Sequence, residues 1–175
     1  RALLRTFHTL LNHNIPILWD AEFPKNRKLI FTQFFKHFKN KKLIKSFFEE
    51  YKGEIYTAEY FLTGTFMGNI LSYCCMLFDT KKYGNVTAVK MAYTSMHPWI
   101  TEYIMRNKII EYKKKYKDSI FIGLGVTATG MNRNEPRILT EHLERDLRIC
   151  KEAGIKEVII YRLGGLNKEY LRLKN

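Results

Sequence analysis

The stretch Ser119-Ile-Phe-Ile-Gly-Leu-Gly-Val126, the segment Pro136 to Ala153 with Gly154 behind it, and Ile155-Lys-Glu-Val-Ile-Ile-Tyr-Arg-Leu163 together decide the fold. The first and last are short and almost continuously apolar, as strands covered on both faces are. Between them, Pro136 to Ala153 carries apolar side chains at helical spacing and stops at a glycine, so it reads as a crossover helix. Two strands joined by such a helix pair in parallel, because a parallel pair cannot be closed by a tight turn. Upstream the same alternation recurs, with Val86 to Thr94 as strand and Trp99 to Tyr116 as helix.

Farther upstream, Ala2 to Asn12 has helical periodicity and leads into the apolar run Ile15-Pro-Ile-Leu-Trp19, a strand that ends in Asp20-Ala-Glu-Phe-Pro24. A long basic amphipathic stretch from about Arg27 to Tyr51, one helix or two, is closed by Gly53. Ile55 to Tyr60 is then strand-like and Phe66 to Phe78 helical. The count is five strands, each but the last followed by a helical stretch. From about Ile15 to the end this is the rhythm of a parallel (β/α) barrel, with about five of its eight strand–helix units. An open doubly wound sheet accounts for the strand character equally well. The 175 residues are read as a single domain or fragment, the C-terminal part of a barrel whose other strands belong to upstream residues or to a partner chain.

Composition supports a packed core: 46% of the residues are hydrophobic and 14% aromatic, too many for a disordered polymer. Cys74, Cys75 and Cys150 have no metal-type spacing, and two of them lie inside an apolar run, which points to buried reduced thiols. No metal and no cofactor is expected. The formal charge of +13 makes polyanions a partner class to weigh, but the lysines are scattered over several helical stretches and read first as solvated faces. Tyr60 to Phe78 carries no charge and has Gly64 and Gly68 in small-xxx-small spacing, yet its threonines, asparagine and serine favour a packed helix over a membrane span. Asn85-Val86-Thr87 matches a glycosylation sequon.

In a parallel barrel the functional groups stand at the C-terminal ends of the strands. Taken in order, those ends present Asp20 and Glu22, then Glu59, then Tyr93 with His97, then Gly123 and Gly125 with the loop to Gly130, then Tyr161 and Arg162 before Gly164-Gly165. Asp20 and Glu22 are two apart on an extended segment and so point to the same side. Two close carboxylates raise one pKa by repulsion, which suits a general acid; exposed loop acids balancing nearby lysines are the competing explanation.

Asp20-Ala21-Glu22-Phe23-Pro24 resembles the D-x-E-[YF]-P end of the signature of family-18 glycoside hydrolases, the chitinases and endo-N-acetylglucosaminidases. Met91-Ala92-Tyr93 resembles the M-x-Y at the end of their sixth strand, Gly123 to Gly130 their glycine-containing seventh, and Val158 to Gly165 their apolar eighth. The resemblance spans roughly Ile15 to Leu166 and consists of short motifs in order. It implies substrate-assisted hydrolysis of N-acetylglucosamine-containing glycans. Glu22 would donate a proton to the glycosidic oxygen, Asp20 would orient the acetamido group as internal nucleophile, and Tyr93 would hydrogen-bond it. Glu59, His97, Trp99, Tyr161 and Arg162 would line the substrate site. Ile15 and Leu18 stand where the family's longer signature has two further aspartates, and Tyr161 where an aromatic floor is usual. Trp19 lies within an apolar run and is expected in the core.

Two other classes fit the same residues. A barrel enzyme holding a phosphorylated small molecule would use Gly125, Gly130, Gly164 and Gly165 as backbone amide donors in its last loops. A non-catalytic basic protein of a larger assembly would use the charge; nucleic acid is then a partner that the scatter of lysines does not favour, and a membrane is the weaker one still.

Overall fold

A computed structural model describes residues 2–20, 34–61, 83–128 and 136–174, without the side chains of residues 34–39 and 174. Along the chain run α1 (Ala2–Leu11), β1 (Ile17–Asp20), α2 (Phe34–Glu50), β2 (Ile55–Tyr60), β3 (Val86–Ala92), α3 (Glu102–Tyr116), β4 (Ile120–Gly125), α4 (Thr140–Glu152) and β5 (Val158–Tyr161). A short helix α5 (Lys168–Leu171) follows between two 3₁₀ turns. The strands form one five-stranded parallel sheet in the order β1-β2-β3-β4-β5. Each strand lies beside the next in sequence, with none of the order reversal that marks a doubly wound sheet, so the connectivity is barrel-like. β1 is in parallel register with β2 from Ile17 against Ile55 to Asp20 against Ala58, and β4 with β5 from Ile122 against Val158 to Gly125 against Tyr161.

The chain divides into two compact units, residues 1–88 and 89–175, with the boundary inside β3. In the first unit, Phe7 of α1, Ile44, Phe47 and Phe48 of α2, Tyr51, Ile55 of β2 and Val86 of β3 form the core. Phe7 and Phe47 stack with centroids 4.0 Å apart. Each fully buried phenylalanine contributes about 1.5–3 kcal/mol through removal from water. Trp19 packs edge-on to Phe48 at 5.9 Å, so it belongs to this core as its apolar surroundings in the sequence imply, although its Nε1 is buried without a hydrogen-bond partner among the described residues.

The second unit is built from two helices laid on one sheet face. Met105, Ile109, Tyr112 and Tyr116 of α3, Ile120, Ile122 and Leu124 of β4, and Leu143, Ile149 and Cys150 of α4 are all buried. Lys90, fully buried in β3, extends over the rings of Tyr112 and Tyr116 with Nζ 5.0 and 5.3 Å from their centroids. The flat ring faces give its ammonium an attractive surface in place of water.

Two helix starts differ from the sequence expectation. α3 begins at Glu102 rather than Trp99, because Thr101 caps it: its hydroxyl accepts the Ile104 N–H. α4 begins at Thr140 rather than Pro136, since Ile138 is still extended, donating its N–H to the Val126 carbonyl at 2.6 Å. At the other end Gly154, at φ +73°, terminates α4, a conformation glycine adopts without steric cost. The segment Phe66 to Phe78, with Cys74 and Cys75, lies outside the described residues, and among those described no helix is long and apolar enough to cross a membrane.

Candidate functional site

Strand alternation sorts the side chains into two faces. In the second unit, Lys90 reaches α3 and Thr94 reaches α4, so this parity faces the helices, while Tyr93 has the opposite parity and faces away from them. Gly123 of β4 shares Tyr93's face: a side chain there would meet the Tyr93 ring at 3.7 Å. Tyr161, at the end of β5, is also on it, stacked on Tyr93 with centroids 5.8 Å apart and planes at 28°. Tyr161 is 42% exposed and Tyr93 half-buried. Two aromatic rings therefore meet at the C-terminal strand ends across the glycine strand that separates their own.

Hydroxyl groups clamp these strand ends together. Ser95 donates to the Gly125 carbonyl at 3.1 Å and accepts the Val126 N–H at 2.9 Å. Thr127 donates to the Arg162 carbonyl at 2.6 Å and accepts the Arg162 N–H at 3.0 Å, while its own N–H donates to the Tyr161 carbonyl. The three consecutive residues after β3 thus bind three different elements: Tyr93 meets β5, Thr94 meets α4 and Ser95 meets the end of β4. Beneath them Asp146, with no solvent exposure, accepts from Thr94 on one oxygen and from Arg145 on the other. Burial raises its carboxyl pKa, and the bonds from Thr94 and Arg145 with the charges of Arg145 and His142 pull it back in part.

His97 and Trp99 lie together in the loop after β3, with ring centroids 5.4 Å apart and Trp99 49% exposed. Arg162 is exposed beyond β5. Gly125, at φ +152°, has no room for a side chain, because a Cβ would come within 2.3 Å of the Tyr161 carbonyl oxygen; Gly165 is equally tight against Thr127, and Gly164 is open. The amides around these glycines are largely engaged within the protein. Val126, Thr127 and Arg162 donate as above, Gly165 donates to Arg162 and Leu166 to Leu163. A phosphate cradle of free N–H groups therefore has the weaker footing here. Gly130 lies outside the described residues.

In the first unit, Asp20 ends β1, exposed, yet the protein around it desolvates its carboxyl and raises the pKa. It is in register with Ala58. Glu59, one residue on, takes the opposite parity, shared with Thr57 and with Ile55 of the core, and it accepts the Thr57 hydroxyl at 3.1 Å while only 3% exposed. Glu59 is thus on the packed face of the sheet, away from Asp20. Glu22 lies outside the described residues.

Sequence reasoning placed Thr127 in the strand-end loop without giving it a role, and overlooked Ser95 and Asp146. The signals were available: the two hydroxyl residues stand just past strand ends, and Asp146 interrupts the Leu143, Ile149, Cys150 stripe of α4 at a position that must be buried. Among the described residues, no cluster of three His, Cys, Asp or Glu side chains is arranged to hold a metal. No family model, curated protein or solved structure matches this chain.

Proposed function

We propose that the strand-end face of the second unit binds a glycan, and that the chain is part of a (β/α) barrel acting on N-acetylglucosamine-containing glycans. The observation that carries this reading is the Tyr93–Tyr161 pair: two partly exposed aromatic rings at strand C-terminal ends, next to a strand whose Gly123 and Gly125 leave the surface free of side chains. Sugar rings present C–H faces that lie against such aromatic surfaces, and strand ends are where barrels place their ligands. Trp99 and His97, in the loop from the same β3 end, are the next candidates for contact. The resemblance to family-18 glycoside hydrolases supplies the chemistry: Glu22 as proton donor, Asp20 as the group that orients the acetamido nucleophile, Tyr93 as its hydrogen-bond partner. Further strands, from another segment or chain, would pair with β1 and β5, the outer strands of the sheet order.

The test is calorimetric titration with soluble N-acetylglucosamine oligomers, together with a hydrolysis assay on the longest folded form of the protein. Tyr161→Ala is expected to weaken binding by about tenfold, the scale of one lost aromatic contact. Glu22→Gln is expected to retain binding and lower the hydrolysis rate by about 10²–10⁴, as loss of a general acid does. Absence of oligomer binding, or equal affinity in Tyr161→Ala, would overturn the glycan reading; unchanged turnover in Glu22→Gln would remove that residue from the mechanism.

A further inference from the structure

The run Lys113, Lys114, Lys115 and Lys117, contiguous in sequence but for Tyr116, is joined by Lys156 at one end of the second unit. Lys113, Lys114 and Lys115 form the last turn of α3, Lys117 caps it, and Lys156 arrives from the turn between α4 and β5. Asp118 holds two of them in place: Lys113 donates to one of its oxygens and Lys156 to the other, each at 2.8 Å. That double pairing pulls the Asp118 carboxyl down to about 2, so it stays ionised and keeps both ammonium groups at the surface. Lys114 and Lys117 are exposed and make no ion pair among the described residues.

Lys117 carries a second, independent signal. Its backbone sits at φ 56° and ψ −113°, a region that suits glycine and is costly for any side chain with a Cβ. The helix dipole accounts for lysines in the last turn of α3, but not for a lysine beyond the turn in a glycine conformation, nor for Lys156 from a different loop.

We propose that this lysine end is a docking surface for the phosphate backbone of a double-stranded nucleic acid, read without base contacts. A row of ammonium groups on a rigid helix end matches repeated phosphates, and attraction of this kind is independent of sequence. Base stacking is not part of it, since the nearby rings of Tyr112 and Tyr116 are buried. A membrane surface fits less well, because insertion needs apolar side chains beside the cations. Most exposed apolar residues of this unit, among them Met96, Trp99, Leu139 and Leu163, lie in loops at the opposite ends of these elements; Ile110 on α3, one turn before Lys114, is a single apolar side chain beside the cations, short of an inserting face. The inference does not depend on the glycan reading.

The experiment is fluorescence anisotropy with a labelled mixed-sequence duplex of about 20 base pairs, over a salt series from about 50 to 200 mM. The intact chain should bind at low salt with a log–log slope of about −3 to −4, the value for about four phosphate contacts. Lys117→Gly and Lys114→Gln should each weaken binding a few-fold and make the slope shallower by about one. Because Lys117→Gly relieves backbone strain, its thermal midpoint should stay within about 2 °C of the parent or rise, which separates lost binding from lost folding. Lys42→Gln with Lys45→Gln, on α2, is the control for diffuse charge and should change affinity less than either test variant. Failure to bind the duplex at 50 mM salt, an equal loss in the α2 control, or tighter binding to phosphatidylserine vesicles than to the duplex would each overturn the proposal.

Discussion

The Thr94 hydroxyl donates to Oδ2 of Asp146 across 2.5 Å, and so ties the end of β3 to the buried face of α4 through a carboxylate that touches no solvent. Replacing Thr94 with valine keeps the shape but leaves that oxygen without its partner. We expect a loss of about 1–3 kcal/mol in urea unfolding, the cost of an unsatisfied buried acceptor.

Asp146 also gives a pH dependence of defined sign. Burial raises its folded pKa above the ordinary 3.8, so the folded state takes up the proton more readily than the unfolded chain. The associated stability is fully present below 3.8 and is lost as the pH rises through the raised value. Asp146→Asn has no such titration. The stability of the parent relative to this variant should therefore grow as the pH is lowered from 7 to about 4, measured as the difference in urea midpoints; a difference independent of pH would show that Asp146 does not titrate in this range.

Gly125 admits no side chain. At φ +152°, a Cβ would lie 2.3 Å from the Tyr161 carbonyl oxygen, and the main chain of β5 would have to move. Gly125→Ala should cost roughly 2–5 kcal/mol by the sum of strain and overpacking. Gly164→Ala, with nothing within 4 Å of the added carbon, should stay within about 0.5 kcal/mol of the parent. Thermal denaturation of the pair tests the contrast.

Asn85 heads a glycosylation sequon, yet its side-chain amide is committed, donating to the carbonyls of Tyr51 at 2.6 Å and Gly53 at 3.2 Å. Expressed through a glycosylating secretory pathway, the folded chain should carry no glycan at Asn85 by mass spectrometry. Asn85→Ala, which strips both carbonyls of their donor, should destabilise by about 1–3 kcal/mol.

Cys150 is 1% exposed, and desolvation, aided by the Asp146 charge, pushes its thiol up to about 12. At pH 8 this leaves about 10³-fold less thiolate than an ordinary cysteine has. In a Cys74→Ser, Cys75→Ser background, alkylation should be negligible in the native protein and rapid in urea; rapid native labelling would place Cys150 at the surface.

The sequence by itself determined the secondary elements and their parallel pairing. Runs such as Ile120 to Gly125 and Val158 to Tyr161 are apolar without alternation, and Ala2 to Leu11 or Thr140 to Glu152 have one apolar stripe; these are local periodicities that survive any packing. The packing of Trp19 against the core and the burial of Cys150 were legible for the same reason. The tertiary structure alone decided which polar groups meet. Strand parity set Glu59 on the packed face with Ile55, and it brought Tyr161 onto Tyr93, 68 residues earlier in the chain, across β4. Order along the sheet, which separates barrel-like from doubly wound connectivity, is likewise a long-range property, since both are written with the same alternating strands and helices. Lys156 stands 43 residues from Lys113, and only the packing of α3 against α4 makes one charged surface of them, because electrostatic fields sum over distance in space and take no account of distance along the chain.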